Sequence, residues 1–253
     1  MFDREYGSLA TLGIVVPQAN TTVEPEMAAL MPDGVSMLIS RLQGSRVDSR
    51  NRLVQYLDNL ASTLDDYDTA PLDAVGYACT ATSYIIGKDE EERRIGEFSE
   101  KFGYPIFTAA QAIRAALTHL GARKVALFAP YPPWAVEASQ VYWEKAGFEL
   151  TDTKTVSLDT TDTRHVYRVR TDMVLDSVKD LNWAHADAII LTGTGVPTLR
   201  SIGEISARSG KPVLSSNLCL AWYLMKQLKL GASLPPPGPG ESLYGGWIGR
   251  IRA

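Results

Sequence analysis

The chain of 253 residues is 45% hydrophobic and 21% charged, the usual balance of a globular protein with one large or two ordinary domains. Its net charge of −4 is spread along the sequence without a basic block, which argues against nucleic-acid binding through phosphate contacts. No segment has the ~18 uninterrupted apolar residues of a membrane span, and the first residues lack the apolar core of a signal peptide. We therefore expect a cytoplasmic protein with no membrane partner.

The first predicted elements alternate between strands and helices. A buried strand ends at Pro17, and a polar turn then leads into a helix whose free N–H groups and positive dipole end favour a carboxylate or phosphate. In this turn, Asn20 and Thr21 have two interpretations, an anion site or an ordinary helix cap. A second strand is predicted over 35–39, and apolar residues at helical spacing predict a helix over 51–64.

The next stretch, Asp73 to Ser83, is the centre of the sequence prediction. An apolar run without charge predicts a central strand of a parallel sheet, and Cys79 lies where that strand should end, followed by a loop of small and hydroxyl residues. Ligands of such sheets bind just beyond the carboxyl ends of the strands. A cysteine in an apolar strand is often only a small buried residue, but this position favours a reactive thiol.

Helices are predicted through the rest of the chain, over 89–102, 109–120, 133–147, 166–181, 198–210 and 217–230. The proline-rich stretch 235–240 excludes regular structure. Beyond it, the apolar side chains of Tyr244, Trp247 and Ile248 are difficult to leave in water, so we expect them to pack against a neighbouring subunit or back on their own domain. A homo-oligomer is therefore one possibility.

The second part of the chain repeats the plan of the first. An Asp, an apolar strand and a loop of Thr and Gly recur from Asp187, and this Asp follows Asp73 at an offset of 187 − 73 = 114 residues. The repeat predicts an α/β protein of two pseudo-symmetric halves, each with a mostly parallel sheet flanked by helices, facing each other across a cleft. We assign 1–110 and 216–253 to the first half and 111–215 to the second.

The supply of metal ligands and paired thiols is poor. The chain has two cysteines, Cys79 and Cys219, and three widely separated histidines, with neither CxxC nor HExxH spacing. We expect no metal and no disulfide. Cys219 lies in an apolar helical run and is predicted to be core, which leaves Cys79 as the candidate nucleophile or proton donor.

Four short motifs in register resemble one family. The run from Gly13 to Glu26, the segment Gly76 to Cys79, the segment Ala129 to Tyr131 and the segment Gly210 to Val213 are similar to the maleate cis-trans isomerase and arylmalonate decarboxylase branch of the aspartate/glutamate racemase superfamily. The resemblance covers nearly the whole chain. It implies two pseudo-symmetric α/β halves around a cofactor-free site that takes a small carboxylate or dicarboxylate.

The resemblance also implies roles for individual residues. Cys79 falls on the first of two family cysteines, the nucleophile of maleate isomerases, whereas the place of the second falls on Thr194 or Gly193. The residues implied in carboxylate binding are the side chains of Asn20, Thr80 and Tyr131 and the backbone N–H groups around Gly195 and Val196. Neither Thr194 nor Gly193 supplies an acid comparable with a thiol at neutral pH.

The missing second cysteine leaves the reaction open. A two-base racemase needs a proton carrier on each face of the carbon, so racemisation is disfavoured. The remaining hypotheses are a cofactor-independent isomerase of a small unsaturated dicarboxylate, a decarboxylase of a substituted malonate with Cys79 as proton donor, and a noncatalytic carboxylate-binding protein.

Overall fold

The structure is a computed structural model that describes residues 4–156 and 158–251. Its framework is two sheets, each of four parallel strands. The first sheet has the order β2-β1-β3-β4 and consists of β1 (Ala10–Pro17), β2 (Val35–Leu42), β3 (Ala74–Tyr77) and β4 (Ile106–Thr108). The second has the order β6-β5-β7-β8 and consists of β5 (Lys124–Phe128), β6 (Glu149–Lys154), β7 (Ala188–Leu191) and β8 (Val213–Ser215). The predicted α/β class with two parallel sheets is confirmed.

Helices flank both sheets, as expected when parallel strands are joined by crossovers. In chain order they are α1 (Val23–Leu30), α2 (Ser49–Asp58), α3 (Leu60–Asp65), α4 (Thr80–Ile86), α5 (Lys88–Phe102), α6 (Ala109–His119), α7 (Pro133–Lys145), α8 (Thr171–Val178), α9 (Leu199–Ser209) and α10 (Ser216–Gln227). Short 3₁₀ turns lie at Thr163–Arg168, Gly231–Ser233 and Ile248–Arg250. No helix in the described ranges combines the length and apolar character needed to cross a membrane.

The predicted repeat is visible in matching hydrogen bonds. Asp73 precedes β3 and accepts the Thr11 N–H of β1 at 2.7 Å, and Asp187 precedes β7 and accepts the Lys124 N–H of β5 at 2.8 Å. Each aspartate therefore fixes the start of a central strand against its neighbour. The hydroxyls that cap α6 and α10 also correspond, since both follow directly from the last strand of a sheet.

Two predicted helices are each divided in the structure. The helix predicted over 51–64 is split at Asn59, an exposed residue whose side chain donates to the Gln43 carbonyl at 2.9 Å. The helix predicted over 166–181 was wrong in its first part. Asp162 accepts the Arg164 N–H at 2.9 Å and starts a separate 3₁₀ turn, and extended backbone at Val169 interrupts the chain before α8.

Two elements were not predicted from the sequence. The residues after Cys79 form helix α4 rather than a loop. Threonines and β-branched isoleucines are weak helix formers, and burial of this segment between neighbouring elements overrides their propensity. Strand β6 was missed because its half-buried residues lack a clear apolar alternation.

The C-terminal segment folds back on its own chain. Trp247 is fully buried and Tyr244 nearly so, and the Tyr244 hydroxyl donates to the Leu30 carbonyl at the end of α1 at 3.0 Å. Ile248 remains exposed. Of the two alternatives predicted for these aromatic side chains, the structure has the intramolecular one.

Candidate active site

The candidate site lies where the carboxyl ends of the central strands of the two sheets meet. Residues from both sheets line one small cavity there, among them Cys79 and Thr80 after β3, Tyr131 after β5, and the loop Gly193–Gly195 after β7. The free volume is about 30 Å³, enough for one or a few waters. The fold therefore brings six of the predicted site residues together in one pocket.

Cys79 occupies the N-cap position of α4 and is 4% exposed. Its Sγ lies 3.4 Å from Thr82 Oγ1. The Thr82 hydroxyl donates its proton to the Leu53 carbonyl at 2.9 Å and accepts from the Tyr77 hydroxyl at 3.2 Å. Because that proton is already committed, the neutral thiol is the donor towards Thr82.

Two opposing effects set the acidity of the thiol. Burial raises the pKa of Cys79. A hydrogen bond to the thiolate from the Thr82 hydroxyl, which then turns away from Leu53, acts in the opposite direction, as do the N–H groups of Thr82 and Ala81 and the positive charge of Arg52. The helix start is therefore arranged to stabilise a thiolate, while burial of the thiol opposes its formation.

Neutral hydrogen-bond donors surround the thiol. The hydroxyls of Thr80 and Tyr131 are 2.9 Å apart, and burial raises the pKa of Tyr131, so that its hydroxyl stays protonated. Across the described residues, the N–H groups of Gly193, Thr194 and Gly195 donate to no protein acceptor. A carboxylate accepts from donors of this kind, so the arrangement fits a carboxylate cradle.

The glycines of the second loop are required by geometry. Gly193 has φ of +95°, a conformation that L side chains rarely adopt. A Cβ at Gly195 would lie 2.4 Å from Tyr167 Cε1, so the close approach of this ring depends on the absence of a side chain. Of the two positions predicted for the lost second cysteine, Thr194 is the one that accepts a side chain without backbone strain.

Thr194 joins the two walls of the site. Its hydroxyl donates to the Ala78 carbonyl at 2.8 Å and accepts from Asn20 Nδ2 at 3.2 Å. Its own carbonyl accepts from Asn217 Nδ2 at 3.0 Å. Since the hydroxyl proton is committed to Ala78, Thr194 positions the strand end that carries the thiol and has no free proton for the substrate.

A buried carboxylate lies behind this loop. Glu26 of α1 accepts the N–H groups of Thr198 and Leu199 at the start of α9, at 2.6 and 3.0 Å, and the Asn217 side chain at 2.8 Å. Burial raises the pKa of Glu26, and these hydrogen bonds oppose the increase. The Glu26 cluster thereby ties the first half of the molecule to the loop of the second.

Three predicted site residues do not line the cavity. Asn20 is buried, and its Oδ1 accepts the N–H groups of Thr22 and Val23 at 2.9 and 3.2 Å, which is the capping role. Its link to the cavity is the hydrogen bond to Thr194. Thr21 is exposed and faces a different, larger cavity. The Val196 N–H donates to the Gly193 carbonyl at 3.0 Å and is therefore occupied.

The structure adds residues that the sequence analysis missed. Arg52 and Tyr56 of α2 and Thr163, Val166 and Tyr167 of the 3₁₀ turn line the cavity. Burial raises the pKa of Tyr56 to about 12. The spacing i, i+4 places Arg52 and Tyr56 on one helix face beside the apolar stripe, a signal that the sequence contained. The 3₁₀ turn had no comparable signal, because its pattern continued into the predicted helix.

Comparisons with known proteins agree on one family. The family model described as arylmalonate decarboxylase matches residues 12–239. A maleate isomerase of Geobacillus stearothermophilus is 28% identical over 243 residues, covering 90% of this chain and 95% of that protein. An arylmalonate decarboxylase of Bordetella bronchiseptica is 27% identical over 241 residues, covering 94% and 98%. A solved Nocardia farcinica maleate cis-trans isomerase mutant with a covalently bound succinylcysteine intermediate superimposes with a TM-score of 0.80 at 24% identity, covering 87% of this chain and 93% of that chain.

Proposed function

Because the chain belongs to the arylmalonate decarboxylase family, we propose that it is a cofactor-independent cis-trans isomerase of a small unsaturated dicarboxylate, with Cys79 as the nucleophile. The observation that carries the proposal is the thiol of Cys79 at the start of α4, inside a cavity lined by neutral hydrogen-bond donors. The relatives named as maleate isomerases support this substrate class.

The proposed reaction needs one nucleophile and no second acid. After the thiol loses its proton to water, Sγ forms a bond to one alkene carbon, and the π electrons move onto the other carbon and its carboxylate. The former double bond is now single and rotates. The electrons then return, the C–S bond breaks, and the trans diacid leaves with the thiolate restored. The single thiol of this cavity is sufficient for that sequence.

The cradle stabilises the charge that develops during addition. The adjacent carboxylate gains negative charge as the C–S bond forms. The free hydroxyl proton of the hydrogen-bonded pair Thr80 and Tyr131 and the loop N–H groups are in place to donate to it. Preorganised donors of this kind contribute more in the transition state than in the ground state, because the charge is largest there. We propose that Thr194 and Asn20 act by positioning the two walls.

The test is conversion of maleate to fumarate followed by NMR with purified, cofactor-free protein. Wild-type protein should produce fumarate, and Cys79→Ser should lower the rate by ~10² or more. Cys219→Ser is the matched control, since this second cysteine is fully buried outside the cavity. Turnover by Cys79→Ser near the wild-type rate would contradict the assignment of the nucleophile.

Decarboxylation of a substituted malonate is the second candidate. The specific observation in its favour is the arylmalonate decarboxylase family match, together with a cradle that also suits the enediolate left by loss of carbon dioxide. Cys79 would then donate its proton to one face of the carbon. Product formed in heavy water should carry deuterium and one handedness; racemic product would exclude the one-sided donor.

A noncatalytic role has a distinct signature. A carboxylate that binds the folded state raises the melting temperature. If several diacids stabilise both wild-type protein and Cys79→Ala while none is converted, the chain is a binding protein. We also propose a cytoplasmic location, where both free thiols stay reduced.

A further inference from the structure

One fully buried cation lines the cavity at Cys79. Arg52 has 1% of its side chain exposed and donates from Nη2 to Ser49 Oγ at 2.7 Å, Asp162 Oδ1 at 2.8 Å and Thr163 Oγ1 at 3.1 Å. Among the described residues that line this cavity, Arg52 is the only one that carries a charge at neutral pH. A buried guanidinium without a charged partner is strongly unfavourable, so its partner is part of the site.

That partner is shared with a second arginine. Asp162 is 26% exposed, and its Oδ2 accepts from Arg164 Nε at 2.9 Å, with a further short contact to Arg164 Nη2. Hydrogen bonds from Arg164 hold the pKa of Asp162 well below its usual range, so the carboxylate is ionised. Two cations and one anion leave the triad of Arg52, Asp162 and Arg164 with one surplus positive charge.

The same triad separates the cavity from an outer groove. Asp162 and Ser49 line a groove of about 340 Å³, whereas Arg52 and Thr163 line the cavity that contains Cys79. Ser49 Oγ donates to Asp162 Oδ1 at 3.0 Å and accepts the Thr163 N–H at 3.2 Å. A ligand that approaches from the groove therefore meets Asp162 first and Arg52 behind it.

The charge of a diacid is not matched by the cradle alone. Thr80, Tyr131 and the Gly193–Gly195 loop are neutral donors and suit one carboxylate, whereas the second carboxylate needs a cation when it enters a buried site. We infer that Arg52 binds the second carboxylate of the substrate, which takes the place of Asp162 on the guanidinium. This inference rests on the proposed function, because it identifies the ligand as a dicarboxylate.

The exchange keeps every charge partnered. When the substrate carboxylate displaces Asp162, the latter retains Arg164 as its ion-pair partner and turns towards water, to which it is already partly exposed. Arg52 exchanges one carboxylate for another and is never left buried alone. The cavity of about 30 Å³ is too small for a four-carbon diacid, and displacement of Asp162 would enlarge it on the side of the 3₁₀ turn.

Calorimetric titration with unreactive ligands tests the inference without requiring turnover. Succinate carries two carboxylates, and succinamate replaces one of them with a neutral amide of the same size. Wild-type protein should bind succinate at least about tenfold more tightly, which corresponds to about 1.4 kcal/mol. Arg52→Gln should lose this preference, and Arg52→Lys should retain part of it. An unchanged preference in Arg52→Gln would overturn the inference.

Asp162→Asn is an independent second variant. It leaves Arg52 with the neutral acceptors Ser49 and Thr163, so the ligand-free protein should be less stable and succinate should supply the missing carboxylate. Asparagine preserves the oxygen that accepts the Arg164 N–H but no longer competes as an anion, so succinate should bind several-fold more tightly than to wild-type protein. Asp172→Asn removes the pair with Arg170 at 2.7 Å and should leave succinate binding unchanged. Weaker binding in Asp162→Asn would assign the pair a structural role and overturn the exchange.

These outcomes separate the inference from the proposed function. A wild-type preference for succinate that depends on Arg52, with no turnover of any unsaturated diacid, would support the inference and contradict the isomerase. If Arg52→Gln converts maleate with an unaltered KM and keeps the preference for succinate, the isomerase is supported and the role of Arg52 is contradicted.

Discussion

Replacing Thr194 with valine tests the hydrogen bonds that join the two walls of the site. Valine has nearly the shape of threonine, so the substitution removes the hydroxyl without leaving a cavity. Two buried groups then lose their partner, namely the Ala78 carbonyl at 2.8 Å and Asn20 Nδ2 at 3.2 Å. Each buried group left unsatisfied costs about 1–3 kcal/mol. We expect the free energy of unfolding to fall by about 2–6 kcal/mol, the sum for the two groups.

Urea unfolding followed by fluorescence measures this difference. Thr194→Ser retains the hydroxyl and should recover most of the stability. Thr118→Val is the matched control, because it removes an exposed helical hydroxyl that donates to the Arg114 carbonyl at 2.9 Å, and a surface change of this kind stays within about 0.5 kcal/mol. If Thr194→Val and Thr118→Val had the same small effect, the two walls would not be joined as described.

Three further predictions follow from buried groups. Because burial raises the pKa of Cys79, its alkylation by iodoacetamide should accelerate as pH rises through and beyond the ordinary thiol range. Fully buried Cys219 should stay unreactive. An alkylation rate of Cys79 that already reaches a plateau near neutral pH would contradict this. Burial raises the pKa of Glu26 in the folded protein. The stability of wild-type protein relative to Glu26→Gln should therefore be greatest at low pH and decline as pH rises through that raised pKa. Unfolding measured as a function of pH with the opposite slope would refute the raised pKa. Deleting 234–253 removes the buried side chains of Tyr244 and Trp247. The lost burial is worth about 3–5 kcal/mol, which at about 2–4 °C per kcal/mol should lower the melting temperature by about 10 °C. An unchanged melting temperature would show that this segment contributes nothing to stability.

The sequence predicted the architecture because its signals were local and repeated. Apolar runs that end in Pro17 and Cys79, and matching aspartates ahead of β3 and β7, indicate parallel strands without reference to distant contacts. The assignment of 1–110 with 216–253 and of 111–215 to the two halves stays a prediction, as does the oligomeric state.

The site was predicted only on the walls that strand ends supply. Cys79, Thr80, Tyr131 and the loop around Thr194 come from such ends, where a sequence pattern marks the position. Arg52 and Tyr56 share one face of α2, and this i, i+4 signal was overlooked. The rest of that wall depends on how the 3₁₀ turn packs against α2 in three dimensions, which local periodicity does not encode. Thr21 was predicted as a site residue because it lies in the loop after β1, but it lines another cavity.

The register of the lost second cysteine also needed the structure. The sequence left Gly193 and Thr194 as alternatives, and φ of +95° at Gly193 disfavours any side chain there. Thr194→Cys is therefore the substitution that would place a second thiol in the cavity. This substitution also removes the hydrogen bond from the Thr194 hydroxyl to the Ala78 carbonyl. The isomerisation rate would therefore rise only if the second thiol contributes more than this hydrogen bond does.

A covalent adduct on Cys79 is the most direct test of the central claim. Wild-type protein is mixed with maleate, quenched in acid and digested, and the peptides that carry Cys79 and Cys219 are analysed by mass spectrometry. The account predicts a mass increase of one whole diacid on the Cys79 peptide, none on the Cys219 peptide, and none when fumarate and maleate are omitted. An unmodified Cys79 peptide from protein that is converting maleate to fumarate would contradict it.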